Sequence, residues 1–398
     1  MAATEKGAWN LQDVRDKQLA GSPYWAYDTT EFQAWSTGHN NYGQLGLNDR
    51  NNRSSPVQIG SESTWSGFGR PGLSSGDTYF MLGNKSDGTL WAWGNNEDGS
   101  LGQNNQTDYS SPVQIPGTSW SDNIGTTHKS TFATRTDGTL WSWGYNSPSY
   151  GQLGHNNKTN YSSPKQIPGT TWDKVVVGDH NIMAIKTDGT LWGWGNNSRG
   201  MLGFNNDTAY SSPRQVGTRT VWAEIACTGE SAALIVKNTP GSWEEGGLYV
   251  MGNNEFGQLA ENNRTNLSSP RYVSGGWHKV AAAGHSVAAI KGYEEGVGGT
   301  LWAWGANQYG ELANNEGEPA PRSTPCQIPG TNWTSIQGTY RGFVAGKLDG
   351  TFWVWGLNGQ GQLGLNDRTH RSSPTQVPGT WSAGSGSSKQ GHVYRRTL

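Results

Sequence analysis

A glycine-centred pattern recurs seven times along this chain, and a long internal repeat restricts the fold more than any single motif can. A glycine ends an aromatic or apolar stretch at Gly38, Gly94, Gly144, Gly195, Gly252, Gly305 and Gly356, in steps of 56, 50, 51, 57, 53 and 51 residues. Two positions later stands an asparagine: Asn40, Asn96, Asn146, Asn197, Asn254, Asn307 and Asn358. A Gly-x-Leu follows, from Gly43 and Leu45 to Gly361 and Leu363, then a second asparagine at Asn48, Asn104, Asn156, Asn205, Asn262, Asn315 and Asn366. Each copy next reaches a proline, from Pro56 to Pro374, and the third inserts Pro148 to Tyr150 before its Gly151.

The local chemistry of the repeat is β. Trp91/Trp93, Trp141/Trp143, Trp192/Trp194, Trp302/Trp304 and Trp353/Trp355 alternate, and period-two spacing puts both rings of a pair on one face of a strand. Asp87-Gly88, Asp137-Gly138, Asp188-Gly189 and Asp349-Gly350 stand just before these strands, where Asp-Gly signals a hairpin because both residues tolerate positive φ. The repeated asparagines suit Asx-turns, folding their side chains onto nearby backbone donors. No helical periodicity runs through the repeats.

Four short strands per ~50-residue unit is the propeller pattern. A solenoid requires a distinct cap at each end, whereas here the two ends complement each other. Past Pro374 the chain supplies Trp381 and the run from His392 to Leu398, half a unit without its Trp-x-Trp strand; Thr29 to Gly38 supplies the missing half. The expected fold is therefore all-β: a seven-bladed β-propeller over residues 27–398, closed by pairing of its N- and C-terminal strands, behind a short extension at 1–26. A chain of 398 residues has a prior of two or three domains, which the repeat overrides.

Only 32% of residues are hydrophobic, and Gly 58 with Trp 21 dominates the count. The tryptophans make up the deficit, since each buried indole removes about 150–250 Å² from water. Eighteen of the 21 fall in three recurring slots, the third running Trp65, Trp120, Trp172, Trp222, Trp277, Trp333 and Trp381. Trp9, Trp25 and Trp243 lie outside them.

The formal net charge is −2, with no basic stripe or tail of the kind a nucleic-acid binder carries. No apolar run approaches the ~20 residues that span a bilayer, so neither nucleic acid nor membrane insertion is expected. The opening Met1-Ala-Ala-Thr-Glu-Lys lacks a signal-peptide apolar stretch. Cys227 and Cys326 are the only cysteines, too few for a disulfide scaffold, and read as buried or half-buried fillers.

These motifs resemble the regulator of chromosome condensation repeat family, whose unit reads apolar-x-Trp-Gly-x-Asn-x-x-Gly-Gln-Leu-Gly, then Pro, then an apolar strand and Asp-Gly. Gly144 to Gly154 and Gly356 to Gly364 match it nearly residue for residue. The resemblance covers residues 27–398 and implies a seven-bladed propeller closed by both termini. Nucleotide exchange on a small nuclear GTPase, the founding member's activity, depends in the family on a wedge-like insertion, acidic contacts on one face and a basic arm. The additions here, Asn238 to Gly247 and Gly292 to Gly299, are short and Gly-rich, and neither terminus is such an arm. A secreted propeller that inhibits β-lactamase is a third use within the family.

Gly7 to Gly21 carries Leu11, Val14 and Leu19 at helical spacing, with Trp9 beside them and Gly21 and Pro23 as a stop. Such a short helix requires something to dock on. The segment resembles the opening stretch of tail-appendage and other virion proteins of marine bacteriophages; packing on its own propeller is the alternative. The expected function is a non-enzymatic binding or structural module, foremost an accessory phage-virion component such as a tail fibre, appendage or capsid decoration. Its partners would be other virion proteins or a host-surface ligand, with a homo-oligomer compatible with such an assembly. The alternative is a cellular or secreted protein-interaction propeller, such as an exchange factor or enzyme inhibitor.

No catalytic constellation, metal site or phosphate cradle is discernible, and no cofactor is expected. One repeat slot holds Tyr79, Lys129, His180, Ser231, His285 and Arg341, too varied for a shared metal and suited to a polar rim round one channel mouth. Sequons at Asn105, Asn157, Asn206 and Asn263 keep step with the repeat and read as turn residues. The variable slot in each Asn-to-Gly loop carries the candidate binding residues Tyr42, Tyr150, Arg199, Phe256 and Tyr309. Aromatic loop tips offer large contact area at low entropy cost; the alternative is that they fold over the blade edge. The rim slot is expected at the opposite mouth from these tips.

Overall fold

A computed structural model describes residues 32–71, 79–127, 129–236, 247–315, 320–379, 383–387 and 391–397. The expected helix, with Trp9, Leu11, Val14 and Leu19, lies outside them, as does Trp381; the described residues form strands and turns without a helix.

The strands form antiparallel meanders of four. In one, Trp172–Val177, Asn181–Lys186, Leu191–Gly195 and Tyr210–Gln215 lie side by side in chain order. The order repeats in units that begin at Trp65, Trp120, Trp222, Trp277 and Trp333, the last two joined by a single pairing of Gly299 with Trp333. A further sheet takes strands from both ends of the chain: Ala383–Ser387, Gly391–Thr397, Phe32–Gly38 and Arg53–Gln58. Its middle pair runs in unbroken register from Phe32 opposite Thr397 to Gly38 opposite Gly391. The first strand of each unit lies against the first strand of the next, and Ala383–Ser387 contacts both Trp333–Thr339 and Trp65–Phe68.

The core fills the spaces between neighbouring sheets. Trp93, Trp143, Trp194, Trp304 and Trp355 are fully buried there against first-strand indoles, Trp143 and Trp194 edge-on to Trp120 and Trp172. Each of these five donates its Nε1–H to a carbonyl in the loop of the preceding sheet, as Trp194 does to Gln152 at 2.8 Å. The indole therefore joins two sheets as well as filling the gap between them.

The repeated asparagines are the turn residues their spacing predicts. In all seven loops the first asparagine's Oδ1 accepts the N–H of the Gly-x-Leu leucine, at 2.9–3.0 Å. The second has φ between 53 and 61°, a region in which Asn is enriched. That turn aims its N–H at a serine carbonyl of the next sheet, as from Asn48 to Ser110 and Asn104 to Ser162. Glycine is required at Gly43, where a Cβ would stand 2.5 Å from the Ser110 Cα. Of the cysteines, Cys227 is buried, which pushes its thiol up to about 12, and Cys326 is half-buried.

Candidate interaction face

Strand register decides which residues share an end of the sheets. The second strand of each unit starts opposite the end of the third, as Asn181 opposite Gly195 and Ser286 opposite Gly305. The turn carrying the rim slot and the loop carrying the variable tip therefore emerge on the same side.

The two sets meet across sheet boundaries. Tyr42 lies 4.5 Å from Tyr79, Tyr150 5.5 Å from His180, and Phe256 stacks on His285 at 4.9 Å between ring centroids. The Arg341 guanidinium sits 5.3 Å from the Tyr309 ring, and Asp98 pairs with Lys129 at 2.7 Å. In each pair the tip belongs to one sheet and the turn residue to the next. The expectation that Lys129, His180, His285 and Arg341 ring the opposite mouth is thus overturned, because antiparallel register brings them beside the tips. Tyr42, Tyr150, Phe256 and Tyr309 are half-buried, each leaning on its neighbour while keeping part of its ring open; Arg199 is exposed.

The tips are held from beneath. Gln44, Gln258 and Gln362 accept the backbone N–H of Tyr42, Phe256 and Gln360 at 2.9–3.0 Å. Glu311 takes the place of that glutamine and accepts from Tyr309 at 2.6 Å; its burial raises the carboxyl above its ordinary value. Burial, with Arg341 adding to it, lowers His285 against the opposing pull of Glu230, Glu255 and Asp179. For Lys129 burial acts downward, but its bond to Asp98 and the nearby Glu97 carry the ammonium above its usual value.

The other end of the sheets carries a repeated feature that the sequence reading missed. Lys186 Nζ lies 4.7 Å from Trp172 and 4.6 Å from Trp192, clasped between two indoles. Lys85, Arg135, Lys291 and Lys347 repeat the arrangement. Beside it, Asp188 accepts from the Thr190 hydroxyl at 2.7 Å and Thr190 accepts from Trp192 Nε1 at 2.9 Å. The unit that begins at Trp222 has Val236 and Tyr249 in these positions. The sequence signal was a Lys or Arg two residues before Asp-Gly at Lys85, Arg135, Lys186 and Lys347.

The sequon asparagines are structural. Asn105 Oδ1 accepts the Thr107 N–H at 2.9 Å while its Nδ2 bonds the Tyr109 hydroxyl at 3.1 Å, and Asn157 repeats both bonds. Among the described residues no group of three or more His, Cys, Asp or Glu could hold a metal, and no helix is long and apolar enough to cross a membrane.

The Regulator of chromosome condensation (RCC1) repeat matches residues 33–66, 87–123, 137–185, 188–235, 298–338 and 349–385, more than half of the chain. The chain is 27% identical over 297 residues to the ultraviolet-B receptor UVR8 of Arabidopsis thaliana, covering 72% of this chain and 65% of that protein. It is 28% identical over 165 residues to the X-linked retinitis pigmentosa GTPase regulator of Canis lupus familiaris, 38% of this chain and 15% of that one. The chain thus spans less than two thirds of the length of these curated relatives. Human WBSCR16 superposes with a TM-score of 0.77 at 20% identity, covering 92% of this chain and 99% of that one. Yeast RCC1 (Prp20), solved with Kap60, gives 0.77 at 18%, over 92% and 89%. Likeness at these identities is one of fold. Taken with the repeat match and the four-stranded sheets, it shows that the chain belongs to the regulator of chromosome condensation (RCC1) repeat family and has its propeller fold.

Proposed function

We propose that this chain is a non-enzymatic protein-interaction propeller, seven blades closed into a ring, whose partner seats on the face that carries the loop tips. The pairing of tip and turn across blade boundaries carries the reading: variable residues gather on one face of a repeated scaffold, the place where partner choice can reside. Ring closure is supported by the sheet built from both chain ends and by the unbroken succession of first strands. The names of the relatives favour protein interaction over a virion component, since yeast Prp20 was solved with Kap60 and studied for binding Gsp1p and histones. The docking segment that motivated the virion reading lies outside the described residues.

Affinity capture with the full chain tests the proposal. Phe256→Ala and Tyr309→Ala should each weaken a captured partner by about 2 kcal/mol if either ring is a hot spot. Tyr272→Ala, on an exposed ring at the other end of the sheets, should bind like the parent. Loss of the partner with Tyr272→Ala alone would place the contact on the other face.

A further inference from the structure

A cleft of about 500 Å³ lies between the sheet that both chain ends build and the unit that begins at Trp65. Leu47 and Val57 form one side of it, and Trp65, Trp91 and Pro112 the other. Leu47, Val57, Trp91 and Pro112 are half-buried, so apolar surface on both walls stays partly open.

The cleft opens where a ring is missing. The strands Tyr109–Gln114, Tyr161–Gln166 and Tyr210–Gln215 each begin with a tyrosine. That ring packs on the cluster holding the next unit's first-strand tryptophan, Trp120, Trp172 or Trp222. The counterpart beside this cleft is Arg53, which brings no ring to the Trp65 cluster. Its guanidinium is held by Asp49 at 2.5 Å and donates to the Asn51 carbonyl at 2.9 Å. Gly60 adds to the space, since a Cβ there would meet no atom within 4 Å. The second cation on the walls, Lys85, is paired with Glu62 and clasped between Trp65 and Trp91. With both cations partnered, the occupant that fits is an apolar or aromatic side chain rather than an ion.

The chain itself arrives at this place. The described residues begin at Phe32, which bridges to Thr64, the residue between Ser63 and Trp65 and two beyond Glu62. Shortly before Phe32 stands Pro23-Tyr24-Trp25-Ala26-Tyr27, three aromatic residues in five positions. Trp25 falls outside the recurring tryptophan slots, so no blade claims it. It precedes Phe32 by seven positions. At ~3.3–3.6 Å per residue such a tether spans up to about 25 Å, ample to turn back past Glu62 and Ser61 into the cleft.

We propose that Trp25 seats in this cleft in place of the missing tyrosine, with Pro23 to Tyr27 laid across Val57 and Pro112 as a strap between two blades. The occupant is a segment of this same chain, and its burial supplies the aromatic contact that Arg53 withholds. The proposal goes beyond the protein-interaction reading and does not depend on it.

Hydrogen–deuterium exchange on the full chain tests it. The amides of residues 24–28 are expected to exchange at least tenfold more slowly in the parent than in Trp25→Ala. Ser111→Trp, which fills the cleft from an exposed position on its wall, should release them to the same extent. Leu47→Arg repeats the block from the facing wall, and a thermal melt confirms that each variant is folded. Trp9→Ala, also outside the recurring slots, should leave the protection unchanged. Unprotected amides in the parent, or protection that survives both blocking variants, would overturn the proposal. So would a parent that is dimeric by light scattering and loses the protection on dilution, because the occupant would then come from a second copy.

Discussion

The backbone N–H of Asn366 donates to the carbonyl of Ser54 at 3.0 Å, joining the last loop of the chain to its first blade. It is the seventh instance of the bond that links every loop to the next sheet, and here it crosses between opposite ends of the sequence. Gly361 supports the same seam, since a Cβ there would stand 2.9 Å from the Ser54 Cα, and the Thr37 hydroxyl bonds the Gly361 carbonyl at 3.1 Å.

On the proposed closed ring, removing residues 381–398 should open it. The edge of Phe32–Gly38 would lose its partner, and unpaired edges recruit other chains. The truncated chain is expected to melt lower and to self-associate on size-exclusion chromatography with light scattering. A monodisperse truncation with unchanged melting would mean that the terminal strands are dispensable.

The clasped cations should matter as much for packing as for charge. Lys186→Ala removes both the ammonium and the stem from between Trp172 and Trp192. Partly buried cation–π contacts contribute from ~0.5 to ~2 kcal/mol. A loss in that range is expected by chemical denaturation, with Lys186→Met recovering the part that comes from the stem. Equal stability of all three proteins would show that the clasp is only geometric.

Acid stability should depend on the Asp-Thr-Trp chains. The hydroxyl and backbone N–H of Thr89, Thr139, Thr190 and Thr351 hold Asp87, Asp137, Asp188 and Asp349 below the ordinary carboxylate value. A carboxyl lowered in the folded state contributes stability that is complete above its unfolded value, near pH ~4, and is lost as pH falls through the lowered one. Melting temperature should decline below about pH 4, and joint replacement of the four by Asn should flatten that decline. An identical acid limb in the quadruple variant would assign the loss to other groups.

Much of the scaffold was legible because each blade repeats the same local chemistry. The Trp-x-Trp strands, the Asp-Gly hairpins and the left-handed asparagines each need only their own neighbours, and five, four and seven copies respectively made them plain. The cation clasps escaped notice because their parts lie on three strands. Lys186 opposes Trp172 across one ladder, and its Nζ crosses to Trp192 on the other side.

The sequence by itself determined the repeat, the strand and turn residues, and the complementary ends that meet in one sheet, since period-two alternation and positive-φ turns are properties of short stretches. Only the tertiary structure decided that Tyr150 and His180, or Phe256 and His285, face the same side, where the sequence reading had set them at opposite mouths. Separation along the chain does not say which end of a sheet a residue occupies. The antiparallel register does, by placing the start of one strand beside the end of the next, and the packing of blade on blade then brings a tip over its neighbour's turn.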